Sequence, residues 1–187
     1  MYKMNKKSNI VLIGMPGAGK STVGVVVAKK LGYRFADSDL VIQETFGKLL
    51  HELITERGVE GFWALENDIN ASLELSNTVI ATGGSACYGK EAMEHLRKNG
   101  VVVYLELGYD SLTERLGDLN ARGVTILPGQ TLKELYAERT PLYEQYADVT
   151  VNCEGKLLRE VVEEVCIKVQ GLLEVQVKQK CGEVSDS

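Results

Sequence analysis

Residues 14–22 read Gly14-Met15-Pro16-Gly17-Ala18-Gly19-Lys20-Ser21-Thr22. This stretch matches the pattern G-x-x-x-x-G-K-[ST] at every fixed position. The apolar run Asn9–Ile13 before it predicts a buried parallel strand. After it, apolar residues recur at helical spacing over 23–31 until Gly32 ends the pattern. The sequence therefore predicts a phosphate-binding loop between a strand and the N-terminus of a helix.

The chemistry of this loop suits a nucleoside triphosphate and Mg²⁺. Its glycines allow the backbone to approach an anion closely, and its amides and the helix dipole bind phosphate oxygens. Lys20 is expected to reach the β- and γ-phosphates, and the Ser21 hydroxyl to ligate Mg²⁺. A glycine-rich turn without function is the alternative, which the flanking strand and helix disfavour. The expected nucleotide contacts in the loop, which the resemblance given below assigns to ATP, are Gly14, Gly17, Ala18, Gly19, Lys20, Ser21 and Thr22.

Composition excludes several other classes of protein. The chain has 187 residues, enough for one domain with a sizeable core, and 25% of them are charged, as in soluble globular proteins. Its net charge of -5 argues against nucleic acid as a partner, and no apolar run is long enough to span a membrane. The four cysteines form no C-x-x-C pair, so neither a zinc site nor a disulfide framework is indicated. We expect a cytoplasmic monomer that acts on a small molecule.

The pattern along the chain predicts a single α/β domain over residues 9–177. Short apolar segments read as five strands, at 9–13, 33–37, 78–82, 101–105 and 147–151. Helical patterns separate them, which predicts a five-stranded parallel sheet with helices on both faces. Residues 118–130 lack periodicity and are expected to form a lid, whereas 1–8 and 178–187 are expected to be tails.

Two motifs follow predicted strands and should meet at the carboxyl edge of the sheet, where ligands bind. Asp37-Ser38-Asp39 offers one carboxylate for Mg²⁺ and another to orient a substrate hydroxyl and accept its proton. The alternative is an Asp that only caps the next helix. Gly83-Gly84-Ser85 lets a ligand approach the backbone, although a simple tight turn would look the same.

Three arginines follow the fourth predicted strand, Arg115, Arg122 and Arg139. Each has the charge and donor geometry to stabilise a phosphoryl group or to bind a carboxylate. Most arginines are instead exposed and do neither, so their positions alone leave both interpretations open.

Taken in order, these motifs resemble those of the shikimate kinase family, over residues 9–169. They are Gly14 to Ser21, Asp37-Ser38-Asp39, Gly83-Gly84-Ser85 and Arg139-Thr140-Pro141-Leu142-Tyr143. The resemblance implies a P-loop kinase fold and the ATP-dependent phosphorylation of shikimate to shikimate 3-phosphate, a step of aromatic amino acid biosynthesis.

The resemblance also implies roles for the residues that bind nucleotide and metal. Lys20 would bind the ATP phosphates as a catalytic residue, and Ser21 would bind Mg²⁺. Asp37 would hold the same ion through water. Arg115 would lie near the adenine, and Arg122 would be the catalytic arginine of the lid that reaches the phosphates.

For the acceptor, the resemblance implies a second set of residues. Asp39 would bind the hydroxyls of the substrate and act as a base. Gly83 and Gly84 would contact the substrate through their backbone, and Arg139 would bind its carboxylate. The family's F-R-x-x-E motif supplies a second carboxylate-binding arginine, but this chain has Trp63 at that position.

Three departures from the family pattern bear on the acceptor. Trp63 replaces the arginine, Ser85 replaces the last of three glycines, and Gly123-Val124 follows the lid arginine in place of proline and leucine. Trp63 suits stacking on a ring or a less acidic substrate, or it lies in the core beside Phe62. A related kinase for another polyol or hydroxy acid, and a nucleotide-binding regulator without catalysis, therefore remain alternatives.

Overall fold

The computed structural model describes residues 7–116 and 124–182, with side chains up to residue 173. Its centre is one sheet of five parallel strands in the order β2-β3-β1-β4-β5. The strands are β1 (Asn9–Ile13), β2 (Arg34–Asp37), β3 (Thr78–Ala81), β4 (Gly100–Glu106) and β5 (Val149–Asn152). The predicted five-stranded parallel sheet and single-domain α/β fold are confirmed.

Helices connect the strands. They are α1 (Lys20–Leu31), α2 (Ser38–Phe46), α3 (Leu50–Ala71), α4 (Lys90–Asn99), α5 (Tyr109–Leu116), α6 (Leu132–Tyr146) and α7 (Leu158–Gly182). The helix α3 is kinked at Gly58, where the backbone leaves helical angles. The helix α7 continues past residue 177, where the predicted C-terminal tail begins. Within the described ranges, no helix is both long and apolar enough to cross a membrane.

Two hydrophobic clusters hold these elements together. The larger surrounds the sheet, whose strand β1 is buried over its whole length. The smaller joins α2 to α3 through Ile42, Leu53, Phe62 and Leu65. Because Phe62 and Leu65 are anchored in this second cluster, the orientation of α3 about its axis is fixed. The neighbouring Glu66 then lines the cavity at the end of the sheet.

The register of the strands brings their carboxyl ends to one edge. Asp37 pairs with Ala81, the last residues of β2 and β3, and Leu12 of β1 pairs with the same alanine. Beyond the strands, the Gly83 amide donates a 3.2 Å hydrogen bond to the Ser38 hydroxyl. This bond holds the two predicted motifs side by side, as the rule for parallel sheets requires.

Candidate active site

A cavity of about 580 Å³ opens at this edge of the sheet. Its wall includes the phosphate-binding loop, Asp39, Glu66, residues 82–85 and Arg115. A volume of this size suits a ligand of small-molecule dimensions. The motifs that were expected to meet at the carboxyl edge therefore do line one site.

The phosphate-binding loop runs from β1 to α1, as predicted. Gly14 has a φ of 139°, and a Cβ placed there would lie 2.6 Å from the backbone oxygen of Leu105, so only glycine fits. Lys20 Nζ donates to the carbonyl oxygens of Gly14 at 2.8 Å and of Met15 at 3.0 Å. Burial lowers the pKa of Lys20 to about 8, so phosphate oxygens are the partners that would best stabilise its charge.

Ser21 and Asp37 lie together at the start of α1 and the end of β2. The Ser21 hydroxyl donates a 2.6 Å hydrogen bond to Oδ2 of Asp37, whose Oδ1 accepts from the Asp39 amide at 3.0 Å. Asp37 is thus the N-cap of α2 and also presents an oxygen to Ser21. Paired hydroxyl and carboxylate oxygens suit Mg²⁺, with phosphate and water oxygens completing its coordination.

Asp39 lies deeper in the cavity, on the first turn of α2. Its partial burial and the neighbouring Asp37 raise its pKa to about 6, while Lys20 acts in the opposite direction. A carboxylate with this pKa is ionised at neutral pH yet basic enough to accept a proton. Asp39 therefore has the protonation state that the predicted base requires.

Glu66 was not selected from the sequence as a site residue, although it ends the Phe62-to-Glu66 stretch that marked the family motif. Its side chain is 1% exposed and lines the cavity. The Ser85 hydroxyl donates to Oε2 at 2.5 Å, whereas Oε1 has no partner among the described residues. Burial, and secondarily Asp39, raise the pKa of Glu66 to about 7. Ser85 thus partners a buried carboxyl whose other oxygen faces the site.

Arg139 is fully buried behind Gly84. Nη2 donates to both the carbonyl oxygen and the hydroxyl of Thr125 at 2.8 Å, and Nε donates to the Tyr88 hydroxyl at 3.3 Å. Nη1 has no partner in the part of the chain that the structure describes. A Cβ on Gly84 would lie 3.2 Å from Nη1, so this nitrogen lies directly behind a glycine that lines the cavity, whereas Arg139 itself is not part of the lining.

Trp63 stands behind the cavity wall. Its indole Nε1 donates to the Thr125 hydroxyl at 3.0 Å, and its ring centroid lies 4.3 Å from that of Tyr88. Part of the side chain also packs against the cluster that contains Phe62. Trp63 was expected either to stack on a substrate ring or to pack in the core beside Phe62. Its position is closer to the second expectation, because the indole does not line the cavity.

Of the two other arginines predicted for the site, the structure describes Arg115 but not Arg122. Arg115 lines the cavity and also borders a smaller one with Thr22 and Lys156, on the nucleotide side of the loop. Arg122 lies outside the described residues, as does the first part of the predicted lid. Its role remains a prediction from the sequence.

Comparison with known proteins decides the family. The family model for shikimate kinase matches residues 16–170. The chain belongs to the shikimate kinase family. The shikimate kinase of Thiobacillus denitrificans is 41% identical over 152 residues, which cover 80% of this chain and 83% of that one. The shikimate kinase of Vibrio cholerae is 37% identical over 165 residues, 87% of this chain and 95% of that one.

Solved structures agree with this family. The shikimate kinase of Acinetobacter baumannii, in complex with shikimate, superposes with a TM-score of 0.77 at 30% identity, over 95% of this chain and 97% of that one. A gluconokinase from Sinorhizobium meliloti, at 21% identity and a TM-score of 0.56, shares the fold. As a member of the shikimate kinase family, the protein is an ATP-dependent small-molecule kinase that phosphorylates an alcohol group.

Proposed function

We propose that the protein transfers the γ-phosphoryl group of ATP to a hydroxyl of shikimate and forms shikimate 3-phosphate. One observation carries this choice of acceptor. Among the described residues, the buried and charged Nη1 of Arg139 has no partner, and it lies behind Gly84, which lines the cavity. A buried guanidinium edge without a partner is costly unless a ligand supplies an acceptor, and a carboxylate is the best match.

The opposite side of the two glycines suits the hydroxyls of the same molecule. A Cβ on Gly83 would lie 2.8 Å from Oδ1 of Asp39, so this carboxylate and Arg139 flank the Gly83-Gly84 turn. A small ring that carries both a carboxylate and hydroxyls satisfies both groups at once. Backbone contacts from Gly83 and Gly84 would hold the ring between them.

In the reaction, Asp39 orients the acceptor hydroxyl and takes its proton as the hydroxyl oxygen bonds to the γ-phosphorus. The bond between that phosphorus and the oxygen of ADP breaks in the same displacement. Lys20 and the loop amides stabilise the charge on the phosphate oxygens. Arg115, which lines the cavity, is proposed to lie near the adenine, and Arg122 is proposed to reach the phosphates from the lid.

Mg²⁺ is proposed to bind at Ser21, with Asp37 holding it directly or through water. Both side chains offer oxygens, the ligands that this ion prefers. When bound, it neutralises charge on the phosphate oxygens. Cytoplasmic location, a monomeric state and a place in aromatic amino acid biosynthesis are further proposals, and size-exclusion chromatography with light scattering tests the second.

The test is ADP release from the purified protein with ATP, Mg²⁺ and shikimate, followed by identification of the product by ³¹P NMR. We expect turnover that depends on shikimate, and Arg139→Lys should raise the KM for shikimate by roughly 10- to 100-fold, because a lysine cannot keep the bonds to Thr125 and Tyr88 and also present a charged donor where Nη1 lies. Turnover without any dependence on shikimate would overturn the assignment.

A related hydroxy acid is the second candidate, and Trp63 is the observation that favours it. Replacing a carboxylate-binding arginine by an indole removes one positive charge from the acceptor side. The same assay with a panel of polyols and hydroxy acids separates the two candidates. A kcat/KM higher than that for shikimate would identify the alternative acceptor.

A further inference from the structure

Thr125 is a shared hydrogen-bond acceptor for Trp63 and Arg139. Its hydroxyl oxygen accepts from the indole Nε1 at 3.0 Å and from Nη2 at 2.8 Å, and its carbonyl oxygen accepts from Nη2 as well. The threonine is 2% exposed, so water does not compete for these bonds. The indole of Trp63 is therefore linked to the Arg139 guanidinium through the Thr125 hydroxyl.

Tyr88 forms a second link between the same two side chains. Its ring packs against Trp63 at 4.3 Å and lies 5.1 Å below the guanidinium carbon of Arg139. Its hydroxyl accepts from Nε of the arginine and donates to Glu138 at 2.7 Å. Trp63 therefore contacts both groups that orient the arginine, without lining the cavity itself.

We propose that Trp63 is a positioning residue, which fixes Arg139 through Thr125 and Tyr88 so that one preorganised guanidinium edge binds the acceptor carboxylate. This inference rests on the proposed function for the identity of the acceptor. Where the family pattern has a second arginine, this chain has an indole that contacts both groups that hold Arg139.

The physical reason is entropic. An arginine side chain loses considerable rotamer freedom when it binds a ligand, and a side chain already held in the binding orientation loses less. Here Nη2 and Nε are occupied by protein acceptors and Nη1 is left for the ligand. Loss of the indole N–H would remove one hydrogen bond from Thr125 and increase the mobility of its side chain. Because Arg139 donates to the same hydroxyl, the mobility of its guanidinium would increase as well.

The first experiment needs no substrate. Trp63 is the only tryptophan of the chain, so the protein gives one indole N–H signal in a ¹H-¹⁵N NMR spectrum. The Nε–H signal of Arg139, identified by its loss in Arg139→Lys, reports the order of that side chain through ¹⁵N relaxation. We expect this signal to be ordered in the wild type and more mobile in Trp63→Phe, which keeps an aromatic ring but lacks the N–H donor.

The second experiment measures kinetics with shikimate as the probe. Trp63→Phe and Thr125→Val should each raise the KM for shikimate by roughly 2- to 10-fold, the effect of one hydrogen bond, with kcat and the KM for ATP within about 2-fold. Thr125→Ser keeps the hydroxyl and should restore the wild-type KM. Thr55→Val is the matched control, because the exposed Thr55 hydroxyl donates to the His51 carbonyl one turn back in α3, away from Thr125.

The outcomes separate this inference from the proposed function. An Arg139 signal that stays equally ordered in Trp63→Phe, or an unchanged KM in both Trp63→Phe and Thr125→Val, would overturn the positioning role. A wild type that does not use shikimate, together with a loosened Arg139 in Trp63→Phe, would overturn the proposed acceptor and support the positioning role.

Discussion

The Ser85 hydroxyl donates a 2.5 Å hydrogen bond to Oε2 of Glu66, a carboxyl that is almost completely buried in the active site. Oε1 of Glu66 and Oδ1 of Asp39 both approach the side of Gly83 where another residue would carry its Cβ. Burial and the charge of Asp39 disfavour the ionised form, so the pKa of Glu66 rises to about 7. The positive charges of Arg139 and Lys20 partly offset this rise in the pKa of Glu66. Burial, and secondarily this carboxylate, in turn raise the pKa of the Cys87 thiol.

This buried carboxyl should make stability depend on pH. The unfolded chain releases the Glu66 proton near its ordinary pKa of 4.5, whereas the folded protein keeps it to about pH 7. Glu66 therefore costs little stability below pH 4.5, and the cost grows until about pH 7. We define the stability difference as the free energy of unfolding of Glu66→Gln minus that of the wild type, both measured by urea denaturation. This difference should increase by roughly 2 kcal/mol from pH 5 to pH 8.

The control for this variant is Glu60→Gln, because Glu60 is an exposed glutamate on the same helix. The difference in free energy of unfolding between Glu60→Gln and the wild type should be the same at pH 5 and at pH 8. A gap between Glu66→Gln and the wild type that does not change with pH would show that Glu66 ionises normally in the folded protein.

Gly83 should tolerate no side chain. A Cβ there would lie 2.1 Å from Oε1 of Glu66 and 2.8 Å from Oδ1 of Asp39, both too close. We expect Gly83→Ala to displace Asp39 and lower kcat/KM roughly 10- to 100-fold. Gly171→Ala, in open space on α7, should keep full activity and gain about 0.5–1 kcal/mol of stability. Wild-type kinetics for Gly83→Ala would contradict the packing described here.

The pair of Ser21 and Asp37 predicts a dependence on Mg²⁺ concentration. Asp37→Asn removes the negative charge beside the Ser21 hydroxyl and should raise the Mg²⁺ concentration for half-maximal activity roughly 10- to 100-fold. The measurement is a Mg²⁺ titration at fixed ATP. Asp68→Asn, at an exposed site on α3, should leave the titration unchanged, and an unchanged curve for Asp37→Asn would place the metal elsewhere.

Lys20 should stabilise the transferring phosphoryl group. Lys20→Ala removes a charge that strengthens its interaction as the transition state forms, so kcat should fall by at least about 100-fold. Steady-state kinetics at saturating ATP and shikimate test this, with the exposed Lys29→Ala as the control. Near wild-type turnover of Lys20→Ala would be incompatible with phosphoryl transfer at this loop.

Trp63→Arg should lower the KM for shikimate several-fold. A second guanidinium adds a charge-assisted hydrogen bond of about 1.5–3 kcal/mol, which exceeds the roughly 0.5–1.5 kcal/mol lost with the indole hydrogen bond. Glu66 follows three residues later in α3, and its Oε1, which has no partner among the described residues, can accept from the new side chain. A KM higher than that of the wild type would show that the arginine does not enter the carboxylate site.

The sequence by itself determined the fold and the phosphate side of the site, because both depend on local patterns. The apolar run before Gly14 predicted the central strand, and the fixed spacing of the loop placed Lys20 and Ser21. Since parallel strands end at a common edge, the meeting of Asp39 with Gly83 also followed from the order of elements.

Only the tertiary structure decided the acceptor side. Trp63 and Thr125 are 62 positions apart, and Arg139 contacts Tyr88 across 51. No local pattern encodes such contacts, since they depend on how α3 and α6 pack against the end of the sheet. The raised pKa of Glu66 has the same origin, because burial of a carboxyl is a property of the packed chain and not of its neighbours in sequence.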